Sequence, residues 1–323
     1  MSFSEYIKNE LCLIEEEKEN NKLAILAAFI KLSGNLVIRN SSLEIELRTE
    51  NPNVAKYITK LCVEVLKTEP RFTYHRNMRL NKNPYYILSV NKEPLNVLKK
   101  LEIMDQDGRM NSAPSLTFVK NKEFLRCYLR GAFLANGSIN DPYSKGGYHF
   151  EISTLDEEFA LYLRKLINEY NLKAKVSKRR NAFIVYLKKG ESISDFLRII
   201  NSLDGLMQFE DCRIAKDMDN NTNRIVNCDV ANEMKRSALA EKQIDAIKVL
   251  IGKNLVENLD YKTRSIINYR LEKPEWALSD IANAYNKDNK DNMSKSSVRA
   301  ILLKVISMAE ESNRVSKSDS LED

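Results

Sequence analysis

The residues best suited to chemistry lie near the end of the 323-residue chain. Within "MSKSSVRAILLKV", hydroxyls and cations are interleaved: Ser294, Lys295, Ser296, Ser297, Arg299 and Lys304. Serine hydroxyls and the free amides of a helix start hold phosphate oxygens, and an arginine can pair with a guanine edge. Arg299 is therefore expected to read bases, and Lys295 and Lys304 mainly to hold phosphates. No acid follows until Glu310. The competing reading of the same pattern is the solvated face of an ordinary helical bundle.

Other reactive residues are poorly spaced. Asp105 opens "DQDG" like a calcium loop, but the spaced acids and closing glutamate do not follow, so the stretch reads as a turn. His75 and His149 fall on separate predicted strands without a serine or cysteine partner, and read as surface or satisfied core residues. The five cysteines (Cys12, Cys62, Cys127, Cys212, Cys228) are scattered, with no CxxC and no histidine at zinc-ligand spacing. That usage points to a reduced cytoplasmic setting. Neither a P-loop nor GxGxxG is present, so no catalytic residue, cofactor or metal is assigned.

The hydroxyl-and-cation cluster needs a scaffold, and the last hundred residues supply one. "PEWALSDIANAYN" places Leu278, Ile281 and Ala282 on one face of a short helix, and the next helix buries Val298, Ile301, Leu302, Val305 and Ile306. Ser294 or Ser296 can cap that second helix. Two helices joined by a short polar stretch make a helix-turn-helix, whose second helix enters the major groove. Trp276 is expected to anchor it. Upstream helices are expected at residues 240–251 and 261–271, with an Asn-rich turn at residues 220–223.

The first two thirds of the chain repeat themselves after about 100 residues. In each copy an apolar helix ends near glycine (Gly34, Gly137), followed by two strands, an amphipathic helix and two more strands. Leu43, Ile45 and Leu47 alternate with Glu44, Glu46 and Arg48, and Tyr148, Phe150 and Ile152 with His149, Glu151 and Ser153, so each strand buries one face. Later pairs form hairpins, the first running through "FTYHRNMRL" and "YYILSV". Ala24, Ala27 and Ala28 on one apolar helix, and Gly131, Ala132 and Ala135 on the other, would let two backbones approach around a pseudo-twofold axis.

A chain with 51 Lys and Arg against 45 Asp and Glu carries a net charge of +6, which permits a nucleic-acid partner without requiring one. The N-terminus lacks a signal-peptide core and no apolar run is long enough to span a bilayer, so no membrane partner is expected.

The paired helices, "LAAFIKLSG" and "LRGAFLANG", resemble the LAGLIDADG homing-endonuclease architecture. In that family the metal-binding acids precede the last glycine of each motif. Here those lost nuclease-acid positions are Ser33 and Asn136, and a hydroxyl plus an amide cannot gather hard divalent cations as carboxylates do. Glu44, Glu46 and Glu151 would moreover repel a phosphate backbone laid across the strands, only partly offset by Arg39, Arg48 and the basic run from Lys178 to Arg180.

With "YLRGAFLANGSI", "YHFEI", "NRIVNCDVANEMKR", "RLEKPEWALSDIANAYN" and "SKSSV", the whole chain resembles the WhiA family of bacterial transcription and sporulation regulators. The resemblance implies an α+β protein: a pseudo-twofold LAGLIDADG-like αββαββα repeat domain over residues 1–205 (repeats about 22–104 and 121–205), a helical linker over 206–235, an all-α helix-turn-helix domain similar to sigma-factor region 4 over 236–312, and a disordered tail over 313–323. Asn223, Arg224, Asn227 and Asn232 are expected to join the linker to a neighbour.

It further implies a nucleoid-associated, non-enzymatic regulator of duplex DNA, tied to cell division and chromosome segregation, with room for a protein partner in the transcription machinery. The family often carries a second arginine close to the first, where Ala300 and Leu302 stand here. The alternatives are a metal-dependent DNA endonuclease, and an N-terminal half that binds a protein or nucleotide and biases DNA affinity.

Overall fold

Small residues decide how the two repeats meet. The computed structural model describes residues 1–39, 41–75, 84–113 and 116–318. An unanticipated helix, α1 (Phe3–Leu11), comes first, burying Phe3, Ile7 and Leu11 at four-residue spacing. The first repeat follows as α2 (Glu19–Ser33), β1 (Gly34–Arg39), β2 (Ser42–Thr49), α3 (Pro52–Leu66), β3 (Arg71–His75) and β4 (Tyr85–Val90). Residues 76–80 of the expected hairpin lie outside the described residues. After α4 (Pro94–Lys100) and the short α5 (Leu116–Val119), the second repeat runs α6 (Lys122–Asn136), β5 (Gly137–Ile139), β6 (Phe150–Thr154), α7 (Glu157–Asn168), β7 (Lys175–Arg179) and β8 (Ala182–Leu187), and α8 (Gly190–Ile200) closes it.

Both repeats fold into antiparallel four-stranded sheets of the same topology, β1-β2-β4-β3 and β5-β6-β8-β7. Alternation puts Ile45, Leu47, Leu88 and Val90 into the core from one sheet, and Phe150, Ile152, Val185 and Leu187 from the other. α2 and α6 pack between the repeats' remaining elements. A Cβ placed on Gly131 would lie 2.2 Å from the Ile25 carbonyl oxygen, so only glycine lets α6 come this close to α2. Gly34 and Gly137 stand in extended backbone, with φ of −84° and −76°. They are needed for room: a Cβ on Gly137 would meet the Phe133 ring at 2.2 Å.

The chain divides into two compact units, residues 1–217 and 218–323. Helix α9 (Leu203–Gly252) is continuous for 50 residues and corrects the expected turn at residues 220–223. Asparagine lowers helix propensity by less than about 0.7 kcal/mol per residue, and no Gly or Pro lies between Gly205 and Gly252 to interrupt the ladder. Its start is capped from α1, whose Glu10 carboxylate accepts from the amides of Asp204 (2.8 Å) and Gly205 (3.0 Å).

Residues 217–238 of α9 are exposed throughout. Among the described residues, Asn223, Arg224, Asn227 and Asn232 make no side-chain hydrogen bond to a neighbouring element, contrary to expectation; Asn232 reaches Cys228, one turn back on its own helix.

The second unit is all-helical: the end of α9, then α10 (Tyr261–Glu272), α11 (Leu278–Asn289) and α12 (Lys295–Ser318). Its core is Ile247, Leu250, Ile266, Ile267, Ile281, Tyr285, Val298, Leu302 and Val305. Residues 313–318, expected to be a disordered tail, belong to α12; residues 319–323 lie outside the described residues.

Candidate nucleic-acid interface

α11 and α12 are joined by residues 290–294, a turn entered through Lys290 in the left-handed region (φ 50°). Asn286 braces it, donating to the Met293 carbonyl at 2.9 Å and accepting from the Met293 amide at 2.6 Å. Lys262 reaches from α10 to Asp291 (2.9 Å), and Tyr261 donates to Asn289 (3.1 Å). The direction in which α12 begins is thus set by polar contacts from two other helices. Composition and periodicity carry no signal for these bracing residues.

Ser294 caps α12, accepting from the Ser297 amide at 3.2 Å, while Ser296 lies inside the first turn. The hydroxyls of Ser294, Ser296 and Ser297 lie together, with oxygen separations of 3.2 and 2.9 Å from Ser294. Lys295, Ser296, Arg299 and Lys304 are all exposed, and helical geometry puts Lys295 and Arg299 one above the other. Beneath them Val298 and Leu302 are fully buried, Ile301 partly so, facing Ile281 and Ala282 of α11 and the half-buried Leu278. Trp276 packs on the same core, its carbonyl accepting from Arg270 at 2.9 Å.

Lys304 is placed differently from the other two cations. It lies within Coulombic reach of Asp260, the N-cap of α10. The Thr263 hydroxyl, which donates to Asp260 at 2.7 Å, is the main reason that carboxyl is held below its usual range, with Lys304 a minor one. Lys295 and Arg299 have no acidic partner among the described residues.

At the ends of α2 and α6 stand the two neutral residues. Ser33 donates back to the Phe29 carbonyl at 2.7 Å. Asn136 donates to two carbonyls, Leu32 at the end of α2 and Ser153 on β6, each at 3.1 Å. The amide therefore ties both repeats together where a carboxylate could only accept. Among the described residues, no group of three or more His, Cys, Asp or Glu is gathered that could hold a metal ion.

The strand acids expected to repel phosphate are each engaged. Glu44 pairs with Arg71 at 3.0 Å, Glu46 with Arg39, and Glu151 with His149 at 2.9 Å and Arg179 at 3.9 Å. His75 stacks on Tyr85, with centroids 5.3 Å apart. Burial pushes the thiols of Cys12, Cys62 and Cys127 up to about 12, which leaves them inert; Cys228 is exposed.

Twin αββαββ repeats meeting at a helix pair, followed by two helices joined by a braced turn, define a LAGLIDADG-like protein with an appended helix-turn-helix unit. Comparison with known sequences agrees along the chain. Models of the WhiA N-terminal LAGLIDADG-like domain, the WhiA LAGLIDADG-like domain and the WhiA C-terminal HTH domain match residues 19–104, 125–219 and 222–309.

The chain is 38% identical to a "Probable cell division protein WhiA" of Lactobacillus acidophilus, over 87% of this chain and 90% of that protein. It is 39% identical to the protein of the same description in Staphylococcus aureus, over 87% and 88%. The chain belongs to the WhiA family. Its fold is similar to that of full-length DUF199/WhiA from Thermatoga maritima, with a TM-score of 0.59 at 23% identity, covering 96% of this chain and 99% of that one. No helix among the described residues is long and apolar enough to cross a membrane.

Proposed function

We propose that this protein is a DNA-binding transcription regulator, in which the start of α12 contacts duplex DNA and the first unit hydrolyses nothing. One observation carries the reading: Lys295 and Arg299, unpaired and exposed, rise directly from the serine-lined N-terminus of a helix whose entry is braced by Asn286, Lys262 and Tyr261. Free amides and hydroxyls there suit phosphate, and a guanidinium one turn further in suits a guanine edge. Ser294, Ser296 and Ser297 are assigned to phosphate, Lys295 to phosphate, Arg299 to base reading, and Lys304, within Coulombic reach of Asp260, to a weaker phosphate contact.

The relatives' description as probable cell division proteins supports a role in cell division; chromosome segregation, and action through promoters, are further parts of the proposal. The nuclease alternative is disfavoured by Asn136, whose amide protons are spent on two carbonyls at the position where a metal-binding acid is required.

The test is duplex binding by the full chain across a salt series. Arg299→Ala is expected to cost about 1–3 kcal/mol and relax sequence preference, and Lys295→Ala to weaken all sequences alike and lower the salt slope by about one. Absence of salt-dependent binding, or identical behaviour of both variants, would refute the assignment. Genome-wide crosslinking with Arg299→Ala as control then identifies the promoters.

A further inference from the structure

One feature of the first unit has no task in that reading. Where α2 and α6 end, a cavity of about 860 Å³ opens, with Lys8, Ser33, Arg48, Glu50, Tyr86 and Asn136 on its wall. That volume accommodates a molecule the size of a mononucleotide.

Two cations line the cavity without forming an ion pair among the described residues, although Glu5 and Glu50 share its wall. Lys8 is half-buried on α1 and its ammonium makes no ion pair or hydrogen bond among the described residues, lying 5.9 Å from the centre of the Phe133 ring. Arg48 lies 3.8 Å from the centre of the Tyr85 ring, which leaves the N–H edge of its guanidinium available. The contrast with the same sheet is informative, because Arg39 and Arg71 are both paired with glutamates.

Three groups on the wall are available as acceptors. Ser33 and Asn136 have spent their protons on backbone carbonyls, so their oxygens are left to accept, as does the Glu50 carboxylate. Cations suit phosphate oxygens, and acceptors suit ligand hydroxyls. We infer that this cavity binds a phosphorylated, hydroxyl-bearing small molecule, with the phosphate on Lys8 and Arg48 and the hydroxyls on Ser33, Asn136 and Glu50.

Protonation of Lys8 gives the site a signature. Burial lowers its pKa to about 8, against a smaller raising effect of Cys12 and Glu50. The charged and titratable groups around it are Glu5 on α1, Cys12 after it, and Arg48 and Glu50 at the end of β2. Burial pushes the Cys12 thiol up to about 12. Only the charged amine holds phosphate, so affinity falls as pH rises through about 8, and binding there takes up a proton.

The experiment is calorimetric titration of the full chain with inorganic phosphate, ribose 5-phosphate, adenosine monophosphate and ribose. A phosphorylated ribose is expected to bind more tightly than inorganic phosphate, and ribose alone not to bind. The two phosphorylated arms distinguish a sugar phosphate from a nucleotide. Lys8→Met and Arg48→Gln should each weaken binding about tenfold or more. Lys8→Arg should retain binding and lose the decline above pH 8, which separates lost charge from lost folding. Equal affinity for inorganic phosphate and ribose 5-phosphate, no binding of any phosphorylated compound, or binding indifferent to both neutral substitutions overturns the proposal. DNA binding is read separately through Arg299, so failure here leaves the assignment of α12 standing.

Discussion

At the scale of single residues, Asn136 shows how a neutral side chain can be required. Replacing it by aspartate leaves the carbonyls of Leu32 and Ser153 facing an acceptor, which is expected to cost about 1–3 kcal/mol at neutral pH. Repulsion by the two carbonyls raises the folded-state pKa of the new acid, because only its protonated form can donate. The damage is therefore smallest below the unfolded value of about 4 and grows as pH rises through the raised folded value. Denaturant unfolding of Asn136→Asp at pH 4 and pH 8 checks this; an equal loss at both would show that the amide protons do not matter. Ser33 and Asn136 were legible in the sequence as positions without an acid. The donor role of Asn136 was not, since it depends on a carbonyl more than 100 residues away.

At the scale of elements, the helix pair and the turn before α12 make different demands. Gly131→Ala would drive a methyl into the Ile25 carbonyl, forcing α2 and α6 apart at a cost of about 1–3 kcal/mol or more. Thermal unfolding measures it, and an unchanged midpoint would mean that the close approach is not needed. Asn286→Ala removes both hydrogen bonds to Met293, so the start of α12 loses its brace while Ile281, Tyr285, Val298 and Leu302 keep the helices packed. DNA affinity should fall, and the Met293 amide should exchange faster with solvent, in the same variant.

Strands and amphipathic helices were legible because burial imposes periods of 2 and 3.6, as Ile45 with Leu47 and Ile281 with Tyr285 illustrate. The continuity of α9 was not legible: the asparagines at 220, 221 and 223 read as turn residues, and only the absence of Gly and Pro around them allows the ladder to continue. The pairing of Glu44 with Arg71 and of Glu151 with Arg179 was hidden for a related reason, because each pair meets across an intervening strand and depends on two registers at once.

At the scale of the whole molecule, the described residues form two hydrophobic clusters, one within residues 1–217 and one within 218–323. Each is expected to melt cooperatively by itself, giving two transitions in calorimetry. Leu302→Ala, in the second cluster, should lower one of them by about 2–5 kcal/mol of stability and leave the other in place; a single transition that shifts as a whole would contradict this. The same division bears on any attempt to engineer a cutting enzyme from this scaffold. Reinstating an acid at Asn136 would supply a metal ligand and break a staple in one stroke, so a designer would first have to find new proton donors for Leu32 and Ser153. Nuclease activity is thus more than one substitution away, and the obstacle is structural upkeep as much as missing chemistry.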